Sequence, residues 1–116
     1  MGTIRYCGNV SGTLAGSQIL AGHLYGVDVL QEHFTCILTY NPSGCTLFVN
    51  GAPCELSDPL NVYENTRAIG DTLIERGRST HPRRTRPEWY TIARKLAAAI
   101  SEAETLTIKQ QEVRAV

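Results

Sequence analysis

The chain has 116 residues, 42% of them apolar, with eleven basic and eleven acidic side chains and a formal net charge of zero. That length suits one domain able to bury a core without metals or disulfides, and the charge balance argues against sequence-blind coating of nucleic acid. No stretch approaches the roughly 20 apolar residues of a membrane helix, and Met1 to Tyr6 lacks the apolar core of a secretion signal, so a cytoplasmic protein with no membrane contact is expected.

Residues 1–56 read as mainly β. Ile4 to Cys7 looks like a short strand, and Gly8 to Ser17, rich in Gly and Ser, reads as loop. In Gln18 to Leu30, Ile19, Ala21, His23 and Tyr25 alternate with Leu20, Gly22, Leu24 and Gly26, which predicts strands at about 18–25 and 27–31. The clearest segment is the 33–56 meander. Asn41-Pro42-Ser43-Gly44 has the chemistry of a type I turn. Pairing Tyr40 with Cys45 sets Leu38 opposite Leu47 and Cys36 opposite Val49. One face then becomes wholly apolar, and a one-residue slip would mix both faces. Asn50-Gly51 is a type I′ hairpin signal, and Pro53 marks the third strand as an edge.

Residues 57–104 read as two helices joined by an Arg-rich loop at 77–86. Asp58-Pro59 supplies a cap and a first-turn proline. Val62, Thr66, Ile69 and Leu73 form a helical stripe, with Gly77 as the stop. Gly70 inside this helix points to a close backbone approach or a break. The second helix runs from about Pro87 to Ala103, with Trp89, Ile92, Ala93, Leu96 and Ile100 inward. Ala97-Ala98-Ala99 leaves smooth flanks against which another helix could come close. Residues 105–116 are expected to be a short strand or tail. The resulting fold class is α+β: one domain, 1–116, with an antiparallel β-sheet packed by two C-terminal α-helices. Phe34, Leu38, Leu47 and Val49 are expected to pack against Ile69, Leu73, Trp89 and Leu96.

The four cysteines, Cys7, Cys36, Cys45 and Cys54, contain no C-x-x-C pair and read as reduced, buried apolar residues. No metal site, cofactor or catalytic residue is expected. Phosphate-loop, dinucleotide, HExxH and GxSxG patterns are missing, and His23, His33 and His81 are scattered. The functional signal is charge. Arg76, Arg78, Arg83, Arg84, Arg86, Arg94 and Lys95 face one acid, Glu88, a net of +6 within a neutral chain. Nine of the eleven cations are Arg, whose planar fork grips phosphate or carboxylate and stacks on rings.

The expected anion site is therefore Arg76, Arg78, Arg83, Arg84 and Arg86, with Arg67, Arg94, Tyr90 and His81 nearby. The expected function is a non-enzymatic binding protein that recognises, and could sequester, a phosphate-bearing ligand, either nucleotide or nucleic acid. The alternative is a protein–protein inhibitor or adaptor of phage or mobile-element type, its Arg loop docked on an acidic partner surface. A homo-oligomer fits both readings. The plainest competing reading is a solvated loop pairing with its own acids.

Overall fold

The structure, a computed structural model, describes residues 3–14 and 17–114. Five strands, β1 (Thr3–Leu14), β2 (Ser17–Val29), β3 (Glu32–Asn41), β4 (Gly44–Val49) and β5 (Ala52–Leu56), precede two helices, α1 (Val62–Thr80) and α2 (Arg86–Arg114). The sheet is an antiparallel meander in the order β1-β2-β3-β4-β5. The α+β class read from the sequence is the architecture found.

The β3–β4 register is the one the apolar alternation demands: Tyr40 opposite Cys45, Leu38 opposite Leu47, Cys36 opposite Val49. Asn50 and Gly51 both take positive φ, 49° and 86°, as a type I′ turn requires. Pro53 lies on β5, an edge strand. Thus Phe34, Cys36, Leu38, Leu47 and Val49 share a face with Tyr25 and Val27 from β2. They form one core with Ile69, Leu73, Trp89, Leu96 and Ile100. α1 lies over β5, and α2 over β1 and β2. No helix among the described residues is long and apolar enough to cross a membrane.

Several expectations are corrected. The loop expected at 8–17 is largely strand, because Gly8 and Gly12, at φ 109° and 146°, fall where the β1–β2 register slips. Such bulges let a strand bend and twist without ending. The two short strands expected at 18–25 and 27–31 are one, β2. Strand β3 joins it only from Gly22 onward, so the distal part of the β1–β2 pair is a two-stranded ribbon.

Helix α1 starts at Val62 rather than Pro59. Asn61 caps it by accepting from the Glu64 N–H, while Asp58 accepts from the Leu60 N–H in the preceding turn. α1 also continues past Gly77 to Thr80. Residues 105–108 are helical, not strand, as α2 runs on to Arg114. Of the cysteines, Cys36, Cys45 and Cys54 are buried as expected, whereas Cys7 is exposed.

The turn joining β2 to β3 carries no sequence signal. Leu30 and Gln31 both adopt positive φ, 51° and 68°, with Val29 paired to Glu32. Side chains with a Cβ resist that conformation. The strained turn places Glu32 where the Arg loop can reach it.

Candidate functional site

Two glycines decide how the helices meet. A Cβ at Gly77 would lie 2.1 Å from Trp89 Cζ2, and one at Gly70 would lie 2.3 Å from the Tyr90 ring. These positions, one heptad apart on α1, are sockets for successive rings of α2. Gly77 is therefore a packing site inside the helix rather than its stop.

Trp89, so seated, forms one wall of a cleft of about 290 Å³ between the C-terminal end of α1 and the sheet. Phe34, Val49, Ala52 and Leu73 supply apolar surface, and Glu32, Asn50, Arg76, Thr80 and His81 supply polar groups. The His81 ring meets Trp89 edge-on at 5.7 Å. Arg84 stacks on Trp89, its guanidinium carbon 4.4 Å from the ring centre, and its Nη2 donates to Glu32 at 2.8 Å. Its other terminal nitrogen, Nη1, is buried with no hydrogen-bond partner. The rest of the Arg84 side chain is only partly buried, 18% exposed, so the desolvation cost falls on that one nitrogen.

The sequence-predicted residues divide into groups. Arg76 and His81 line this cleft, and Arg84 touches two of its walls. Arg86 lies over the Tyr90 ring at 5.5 Å and donates to its hydroxyl, which in turn donates to Asp71. That bond to Asp71, before any burial, raises the Tyr90 phenol above its ordinary range, and the nearby Arg86 and Arg67 oppose the rise. Arg67 therefore belongs with the Tyr90 group. Arg78 and Arg83 are exposed. Arg94 lines a separate cleft on α2.

A second polar cluster escaped the sequence reading. Glu104 on α2 is 1% exposed. It accepts from the hydroxyls of Tyr25 and Tyr40, and His23 Nδ1 lies 2.9 Å from its Oε2. A carboxylate only accepts, so an ionised Glu104 requires the proton on Nδ1 of His23. Tyr25 and Tyr40 both titrate above the usual phenol range, chiefly through burial and then through their bonds to Glu104. The signal was present: Glu104 stands four residues after Ile100 and eight after Leu96, on the same buried stripe. His23, Tyr25 and Tyr40 also fall on the inward face of their strands. Among the described residues, no group of three or more His, Cys, Asp or Glu side chains is placed to hold a metal ion.

The chain matches no protein-family model, no curated protein and no solved structure. The functional reading therefore rests on these sites alone.

Proposed function

We propose that this chain is a non-enzymatic binding protein that takes a nucleotide-sized, phosphate-bearing ligand in the cleft walled by Trp89. The observation that carries the reading is the cleft's lining, in which Trp89, Phe34 and Leu73 supply apolar surface and Arg76 and His81 converge on the same space, while Arg84, stacked on Trp89 and bonded to Glu32, braces two of its walls. An apolar pocket with a few convergent polar groups is the usual form of a small-ligand site. A flat base would lie against Trp89, Phe34 and Leu73, while the phosphate meets the Arg76 guanidinium and His81. Arg78, Arg83 and Arg86, exposed around the loop, add long-range attraction for an anion.

The cleft favours a small ligand over a polymer, and salt separates the two. A polyanion loses log affinity with log salt at a slope of about −0.7 to −0.9 per phosphate contact, whereas a pocketed nucleotide responds weakly. The test is a binding titration with mono-, di- and oligonucleotides at two ionic strengths. If none of them binds and an acidic protein is captured instead, the Arg loop serves a protein-docking role.

A further inference from the structure

The exposed stripe of α2 carries opposite charges, Arg94 and Glu102, at equal distances on either side of Ala98. Thr91, Arg94, Ala98, Glu102 and Thr105 follow at three- and four-residue steps, which places them on one side of the helix. Ala98 is the midpoint of Arg94 and Glu102, of Thr91 and Thr105, and of Lys95 and Ser101. Arg94, Ala98 and Glu102 are exposed, and among the described residues neither they nor Lys95 enter an ion pair. The surface there is a cleft of about 400 Å³, with Ile4 and Val62 as apolar flanks and Ala98 and Ala99 between the charged residues. Leu60, 41% exposed, is tied to α2 through its carbonyl, which accepts from the Ser101 hydroxyl.

We propose that this face docks a second copy of the chain, α2 against α2 and antiparallel, about a two-fold axis through Ala98. In that arrangement Arg94 meets the partner's Glu102, and Glu102 meets the partner's Arg94. A two-fold contact is self-complementary in this way, each pair occurring twice. A parallel copy in the same register would instead oppose like charges. Alanine at the crossing point lets the helix axes approach toward the short end of the usual 8–10 Å range. The flanking Ile4, Val62 and Leu60 then lose their solvent contact.

The experiment is sedimentation equilibrium on the full chain and three variants, Arg94→Glu, Glu102→Arg and the double swap. Because these side chains are exposed, the fold should survive, which circular dichroism checks. Each single reversal opposes like charges twice per dimer and is expected to weaken self-association about tenfold or more. The double swap restores the pairing and is expected to recover most of the loss. A wild type that stays monomeric at tens of micromolar overturns the proposal. So does a dimer indifferent to the single reversals, or single defects that the swap does not repair.

Discussion

Trp89 rests on Gly77, the indole occupying the space that a Cβ at position 77 would need. The contact fixes both the helix packing and one wall of the candidate cleft. In a free helix Gly→Ala gains about 1 kcal/mol. Here the methyl meets a buried ring that cannot yield without moving the core, and overpacking of this kind costs about 1–3 kcal/mol. Gly77→Ala is expected to destabilise the chain, as read by denaturant midpoints. Gly70→Ala, facing the half-buried Tyr90, is expected to cost less because that ring can swing toward solvent. Equal effects, or a stabilised Gly77→Ala, would contradict the packing described.

Glu104 anchors α2 to three side chains of β2 and β3. In Glu104→Gln one acceptor oxygen becomes a donor and confronts a hydroxyl or imidazole donor. The expected cost is about 1–3 kcal/mol, against about 0.5 kcal/mol for an ordinary surface change. A loss no larger than the latter would remove Glu104 from its anchoring role.

The same cluster sets an alkaline limit. Unfolded tyrosine titrates near pH 10, while Tyr25 and Tyr40 hold their protons to higher pH in the fold. The folded state thus binds more protons above about pH 10, and linkage makes stability fall as pH rises. Their contribution is complete below about pH 10 and is lost above it. Denaturation at stepped alkaline pH should show this decline, with Tyr40→Phe declining less steeply. A slope unchanged by that substitution would count against the linkage.

The Leu30-Gln31 turn holds two side-chain-bearing residues in left-handed conformation. Replacing the pair by Asn-Gly fits the same turn at lower strain and is expected to stabilise by about 1–2 kcal/mol. Thermal unfolding checks this.

How much of this was legible in the sequence follows from where the signal was local. The β3–β4 register could be read because only one pairing puts Phe34, Cys36, Leu38, Leu47 and Val49 on one face. The β4–β5 turn could be read because Asn50-Gly51 suits positive φ. The β1–β2 ribbon was hidden because glycine marks both loops and bulges, and only pairing distinguishes them. The length of α2 was hidden because a buried Glu104 looks like the end of an apolar stripe until His23, Tyr25 and Tyr40 are brought to it. For the candidate site, the Arg cluster marked the connection between the helices, although Arg76 and Arg78 lie on α1 itself. Which arginines face a cleft depended on the seating of Trp89, a tertiary fact that spacing does not encode.

The most direct test of the binding account uses Trp89 itself, the only tryptophan in the chain and a wall of the cleft. Its fluorescence should be followed during titration with inorganic phosphate, nucleoside mono- and diphosphates, dinucleotides and short oligonucleotides. The account predicts a saturable change with at least one nucleotide, weakly dependent on salt and lost or strongly weakened in Arg76→Ala and in His81→Ala. No response to any of these ligands, together with a bare protomer or oligomer mass by native mass spectrometry, would contradict it.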